Sequence, residues 1–394
     1  MKTNYLRGAA ANVLLLGAVS FFNDISSKMI VPILPLFIKE LGGAALAVGL
    51  IGGLREGIAS ILKVVSGYWS DRTGRRKVFV TTGYLAAAVF RLLLSFSTAW
   101  QHVMVFVGLE RMGKGLRNAP RDAIISDSLP AARGRGFGIH RAMDTAGAIL
   151  GAMVAFLLFY VWGFSFKTII FSASIIALLS LPPLYFVKAP RREPRDTTLS
   201  ISLAGLTPRL RFFILIAGIF SLANFSYMFF ILKSQDFFAG YLPEKLAMGM
   251  PILLYVLFNI FYAALAVPFG MLSDKFGRRK VLAGGYLLFA LTSLGFALFC
   301  SLPAFIVLFA LYGVVSAIID GNQRAFVSDL STTELRATAL GTYHTVIGLA
   351  ALPASLIAGL LWKTVTPEAT FIYGAIVAGI AAGLFVGLER GFEE

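Results

Sequence analysis

The sequence predicts an all-α integral membrane protein of twelve transmembrane helices in two pseudo-symmetric six-helix bundles. Three observations predict it. Of its 394 residues 58% are hydrophobic and 14% charged, where soluble domains carry about a quarter charged, so lipid is the solvent for most of the surface. The apolar residues fall into runs of about 20, the length at which a helix crosses a bilayer. A polar knot between two such runs, Gly67 to Lys77, returns 203 positions later as Gly270 to Lys280 with seven matching residues (Gly, Ser, Asp, Gly, Arg, Arg, Lys). The chain is therefore read as a duplication.

The spans are expected near 11–37, 44–69, 77–98, 102–125, 137–162, 167–187, 210–235, 248–272, 279–300, 303–327, 338–362 and 367–388. Lys2 and Arg7 precede the first in the manner of a signal peptide. No small-residue cleavage site follows, and the run continues past Asp24 into Pro32 and Pro35, so it reads as an uncleaved helix. The knot separates the second span from the third and its copy separates the eighth from the ninth. Ser126-Asp127 closes the fourth span and Ser328-Asp329 closes the tenth, a second trace of the duplication. Between the sixth and seventh spans lies a longer polar stretch with prolines at 190, 194 and 208. It marks the expected boundary: 1–187 as the first bundle, 188–210 as a cytoplasmic linker, 211–394 as the second.

A net charge of +15 would suggest nucleic acid in a soluble domain, but the basic residues concentrate in short loops and are read as orientation signals, with no nucleic-acid partner. With the N-terminus inside, about 20 Lys and Arg fall on the cytoplasmic side and about 4 (Lys39, Lys167, Lys245, Lys363) outside. Both termini are expected in the cytoplasm, and the compact loops suit a prokaryotic inner membrane. The single cysteine, Cys300, allows no intrachain disulfide. No paired Cys/His spacing, Walker-type glycine loop or nucleophile with its base is apparent, so no metal, cofactor or enzymatic activity is expected.

The knot resembles the G-x-x-x-D-R-x-G-R-R-K loop of the major facilitator superfamily, and its copy resembles that family's weaker repeat. The resemblance implies the two-bundle fold over essentially the whole chain, and says little of substrate. Arg111-Met112-Gly113-Lys114-Gly115 resembles the family's helix 4 pattern R-x-x-q-G, whose arginine is associated with proton coupling; Lys114 replaces the usual neutral residue. Gly138, Gly147 and Gly151-Ala152 resemble the helix 5 antiporter pattern G-x8-G-x3-G-P-x-x-G, with Ala152 in place of its proline and Ala155 in place of its last glycine. That pattern implies export in exchange for protons.

Ionisable residues at membrane depth each cost about 2.5 to 3.5 kcal/mol unless they face water or a partner. The first half carries about 14 of them and the second about five by this placement, so the first half is expected to line a wet cavity or pair internally. At about 100° per residue, Glu110, Lys114, Arg117 and Arg121 share one stripe of the fourth span, while His140 and Asp144 share a stripe of the fifth with Gly147 and Gly151. Cations outnumber acids here. Arg55, Arg111, Arg117 and Arg141 are therefore the expected contacts for an anionic or zwitterionic small molecule, with Asn224, Asn259 and Gln323 of the second half against its organic body. Asp24, Glu56, Glu110 and Asp144 are the expected proton carriers, since desolvation and a neighbouring cation pull a carboxyl in opposite directions. Gly67, Asp71, Arg75 and Asp127 are expected to form one cytoplasmic latch, and Gly270, Asp274, Arg278 and Asp329 its counterpart.

The expected function is secondary active transport by alternating access, as proton-coupled export of such a molecule by a monomer in the lipid bilayer. Proton-coupled efflux of lipophilic or cationic drugs is the alternative, and a non-transporting receptor or scaffold the third.

Overall fold

A computed structural model describes residues 2–128, 133–189, 205–332 and 335–387. Within them the regular structure is helical, in fifteen α-helices and one π-helical turn. In order these are α1 (Lys2–Ile30), α2 (Leu34–Glu40), α3 (Ala45–Thr73), α4 (Arg76–Ser95), α5 (Trp100–Ser128), α6 (Arg133–Phe156), the π-helical turn (Leu157–Val161), α7 (Phe166–Leu178) and α8 (Leu181–Phe186). They continue as α9 (Pro208–Ala223), α10 (Met228–Ala239), α11 (Glu244–Phe276), α12 (Arg278–Leu298), α13 (Leu302–Asp329), α14 (Arg336–Thr364) and α15 (Pro367–Gly387). Residues 190–204 of the expected linker lie outside the described residues.

Fifteen helices make twelve spans because three are interrupted. Pro32 lies in the turn between α1 and α2, and Pro182 and Pro183 open α8; proline removes a backbone donor and biases the residue before it away from helix. The seventh span breaks without proline, at Asn224–Tyr227. There the Ser226 amide donates to Ser355 Oγ at 3.1 Å and the Met228 amide to Ser226 Oγ at 3.4 Å, so two hydroxyls replace lost helical acceptors.

Eleven helical segments of the described residues are long and apolar enough to cross a membrane, Pro208–Ala239 being the sixth of them and the seventh expected span. The one expected span missing from that set is the fourth, α5, and its composition sets it apart. It is a 29-residue helix made polar by Glu110, Arg111, Lys114, Arg117, Arg121 and Asp122. Its length suffices for a crossing; its apolarity does not. Glu110 meets Arg91 of α4, while Arg111 and Arg121 meet acids of α5 itself.

The chain forms two compact units, one of Met1–Phe37 with Ile58–Thr198, the other of Ile38–Gly57 with Leu199–Glu394. In the first, α1 packs along α6 and α4 along α5. Glycines set these spacings: a Cβ at Gly147 would lie 2.6 Å from the Phe21 carbonyl oxygen, and one at Gly151 2.3 Å from that of Ile25. In the second, α11 packs along α13 and α12 along α15, around stacked rings that include Phe220 on Tyr286 (4.0 Å) and Phe230 on Tyr312 (4.4 Å). The first turns of α3 join this unit through close backbone approach. A Cβ at Gly53 would meet Leu352 Cα at 2.7 Å, and one at Gly49 the Ser355 carbonyl oxygen at 2.2 Å.

Candidate functional site

The charges at membrane depth in the first unit divide into paired and unpaired. Arg91 of α4, 2% exposed, donates Nη2 to Glu110 Oε1 of α5 at 2.7 Å, and Nη1 to the Asn23 carbonyl oxygen, Asn23 Oδ1 and Ser26 Oγ at 3.0 to 3.2 Å. The other carboxylate oxygen of Glu110 lies 3.0 Å from Arg111 Nε. One buried acid thus holds two buried arginines. Arg121 pairs with the adjacent Asp122 at 2.9 Å.

Arg117 is different. It is 2% exposed, its guanidinium lies over the Tyr84 ring with 4.4 Å from Cζ to the centroid, and Nη1 donates to the Gly83 carbonyl oxygen at 3.3 Å. Its Nε has no hydrogen-bond partner among the described residues, and none of their carboxylates lies within ion-pair distance of it. A Cβ at Gly83 would fall 2.6 Å from the Gly113 carbonyl oxygen and 2.7 Å from Arg117 Cβ, so the position of Arg117 follows from the near contact of α4 and α5. Tyr84 is fixed in turn: its hydroxyl lies 3.0 Å from Ser20 Oγ, which lies 2.8 Å from His140 Nε2 and accepts from Arg121 Nη1 at 3.3 Å.

Asp24 of α1 and Asp144 of α6 also stand outside the ion pairs found among the described residues. Asp24 Oδ1 accepts from Asn23 Nδ2 at 3.2 Å, while Asp144 Oδ1 is buried without a hydrogen bond. Asp144, Lys114, Lys28 and Arg117 lie within electrostatic reach of Asp24. Among the described residues, then, one guanidinium and two carboxyls of this unit stand outside the direct ion pairs.

Other expected contacts take different places. Arg55 belongs to the second unit, where Nη1 donates to Tyr227 Oη at 2.7 Å and Nε lies 3.7 Å from the exposed Glu56. Arg141 is exposed on α6 and Asn224 is exposed at the break of the seventh span. Asn259 Nδ2 donates to the Tyr255 carbonyl oxygen one turn back, at 2.7 Å. Gln323 links α12 to α14, donating to Tyr286 Oη at 2.7 Å and accepting from Tyr343 Oη at 2.6 Å. Its amide is thereby engaged within the bundle.

Both repeated loops carry a bridging ion pair, which in the first loop involves a different arginine from the one expected. In the first unit Arg76, not Arg75, bridges Asp71 and Asp127, at 2.5 Å to each. In the second, Arg278 bridges Asp274 and Asp329 at 2.8 and 2.6 Å. The knots align Arg75 with Arg278, but two residues, Gly74 (φ 65°) and Arg75, separate α3 from α4, whereas Gly277 (φ 91°) alone separates α11 from α12. The bridging arginine is the first helical residue in both. A cation there opposes the helix dipole, and the two acids offset it. Gly67 permits a close approach to Ala119, whereas a Cβ at Gly270 would meet open space.

Sequence reasoning missed Arg91 as the partner of Glu110, although its charge at membrane depth was a signal. Tyr84 and Ser20 had none. Two ion pairs of the second unit were also missed: Lys39 with Asp236 at 2.7 Å, where Lys39 also donates to Gln235 Oε1 at 2.6 Å, and Lys233 with Glu368.

The major facilitator superfamily model matches residues 16–253 and 214–392, nearly the whole chain. The chain belongs to the major facilitator superfamily. An MFS-type transporter of Methanocaldococcus jannaschii is 53% identical to it over 381 residues, 96% of this chain and 95% of that one. The multidrug resistance protein MdtH of Yersinia enterocolitica is 32% identical over 168 residues, 40% of this chain and 41% of its own. In fold, the crystal structure of the nucleoside transporter NupG superposes with a TM-score of 0.76 over 97% of this chain and 99% of that one, at 13% identity. This superfamily member is an integral, multi-pass membrane protein and an MFS-type transporter.

Proposed function

We propose that this transporter is a secondary active carrier of a small organic anion or zwitterion, coupled to protons, whose halves 1–187 and 211–394 give alternating access about the linker 188–210. The observation that carries the reading is the sorting of charge in the first unit. Arg91, Arg111 and Arg121 each meet a carboxylate, whereas Arg117 meets only a ring face and a carbonyl oxygen. An uncompensated charge at membrane depth costs about 2.5 to 3.5 kcal/mol, which a bound carboxylate or phosphate offsets through charge-assisted hydrogen bonds. Asp24 and Asp144 are the proton carriers in this reading, because neither forms a direct ion pair among the described residues. Glu110 is not retained in that role, since it is engaged by two arginines.

The carrier acts as a monomer in a prokaryotic inner membrane with both termini in the cytoplasm, which accords with the Lys and Arg bias of the loops. Export is the direction implied by the glycine pattern of α6, although Gly147 and Gly151 also serve close packing against α1. Efflux of lipophilic or cationic compounds is the second reading. The partial likeness to MdtH favours it.

Flux in proteoliposomes separates the two. Arg117→Gln is expected to abolish transport of organic anions, and Asp24→Asn the accompanying proton flux. Anion transport undiminished in Arg117→Gln overturns the reading, and proton flux driven only by lipophilic cations replaces it with the second.

A further inference from the structure

We propose that the substrate is a zwitterion whose anionic end is taken by Arg117 and whose cationic end displaces a proton from the Asp24 and Asp144 carboxyls. The inference rests on the anion-binding reading of Arg117 and narrows its substrate class. Among the described residues of the first unit, groups of both signs stand outside direct ion pairs: one guanidinium fixed over Tyr84, and two carboxyls, one with a buried oxygen that lacks a hydrogen bond. A monoanion satisfies only the first. A monocation satisfies only the second and adds positive charge beside Arg117. A molecule carrying both charges offers a partner to groups of both signs.

The placement of the groups supports this. Gly147 seats against Phe21 and Gly151 against Ile25, which brings the α6 face that bears Asp144 against the α1 turns that bear Asp24. Arg117 of α5 lies over the Tyr84 ring, and the Tyr84 hydroxyl is 3.0 Å from Ser20 Oγ, one turn before Asp24 on α1, so the guanidinium is tied to the α1 segment that bears the acid. The charged groups facing Asp24 are Asp144 from α6, Lys114 and Arg117 from α5, and Lys28 on its own helix; those facing Asp144 include Asp24 from α1 and Arg121 from α5.

The exchange conserves atoms and moves one charge: the zwitterion enters neutral overall and one proton leaves to water, so the site becomes more negative by one. In the proposed empty state the two carboxyls, on facing turns of α1 and α6, share one proton. When the substrate's ammonium arrives, the carboxylic acid gives its proton to water and the resulting carboxylate pairs with the ammonium. No covalent bond forms to the substrate. Proton and ammonium compete for the same oxygens, and that competition is the linkage of an exchanger: acidification on one side favours release of the substrate there.

The test uses matched probes on the purified full-length protein. The zwitterions are glycine betaine and its homologues with one, two and three further methylenes, whose quaternary nitrogen carries no proton. Each is compared with its isosteric anion, in which a tert-butyl group replaces trimethylammonium, and with its methyl ester, which keeps only the positive charge. Binding is measured by calorimetry, and proton release by a pH-sensitive dye in weakly buffered solution. At least one zwitterion is expected to bind ten-fold or more tightly than both of its partners and to release up to one proton per molecule bound. In Asp24→Asn with Asp144→Asn the preference over the anion and the proton release are both expected to vanish while the anion still binds, which also reports an intact fold.

Equal binding of zwitterion and isosteric anion overturns the proposal and leaves the anion reading in place, as does an unchanged preference in the double variant. Binding of the esters alone, or of none of the probes, overturns both. Anion binding unaffected by Arg117→Gln overturns the assignment of the anionic end.

Discussion

Arg91 and Glu110 meet at 2.7 Å with both side chains almost wholly buried, and Arg111 closes on the other oxygen of the same carboxylate. Breaking a buried pair leaves a charge with no solvent to receive it and typically costs about 3 to 5 kcal/mol. Glu110→Gln is therefore expected to lower thermal stability in detergent by that order, through two stranded guanidiniums. Arg91→Met combined with Glu110→Leu is expected to be milder than Glu110→Gln alone. Wild-type stability in Glu110→Gln, with loss of proton coupling only, contradicts the structural role given to this acid.

Arg117 predicts the opposite pattern. Its removal leaves no carboxylate stranded, so Arg117→Gln is expected to keep thermal stability within about 1 kcal/mol of wild type while anion transport falls by at least ten-fold. Arg117→Lys keeps the charge but loses the planar stack on Tyr84, and is expected to recover only part of the activity. Full recovery with lysine shows that the ring contact is dispensable.

The latches predict a crossed pair of effects. In the first unit Arg76→Ala is expected to slow transport several-fold and Arg75→Ala to do little, whereas in the second Arg278→Ala outweighs Arg279→Ala. The acids are partly exposed, so equilibrium stability is expected to change by about 1 kcal/mol or less; initial transport rates are the informative measurement. Equal effects at Arg75 and Arg76 contradict the one-residue difference between the loops.

Gly83 and Gly270 make a matched control for packing. Alanine at 83 drives a Cβ into the Gly113 carbonyl oxygen and Arg117 Cβ, while alanine at 270 meets open space. Gly83→Ala is expected to cost about 1 to 3 kcal/mol as overpacking and to displace Arg117, read as lost anion binding. Gly270→Ala is expected to be silent in both assays.

Much of the fold was legible in the sequence because lipid demands it. Runs of about 20 apolar residues have one stable outcome in a bilayer, and a repeated loop betrays a repeated bundle. The fourth span was legible as a helix through the stripe of Glu110, Lys114, Arg117 and Arg121, yet its charge excludes it from the apolar set. The site was less legible for a geometric reason. Helical spacing says which residues share a face, but not what the next helix brings to it. Arg91 reaches Glu110 from α4, and Tyr286 and Tyr343 close on Gln323 from α12 and α14, so residues of one apparent class divide into braces and candidates for exchange only when the helices are assembled. Arg75 was misassigned on a finer scale, because a loop longer by one residue changes which arginine opens the helix.

That extra residue has an evolutionary consequence. After the duplication, the two copies of one ancestral loop kept their letters and traded their duties: Arg76 clamps the acids where its aligned twin Arg279 instead caps the Val386 carbonyl oxygen. Descent and occupation have come apart at this point in the chain. A chimaera that swaps the loops column by column between halves inherits an arginine in the wrong post, and a working graft must carry the length of the junction along with its spelling.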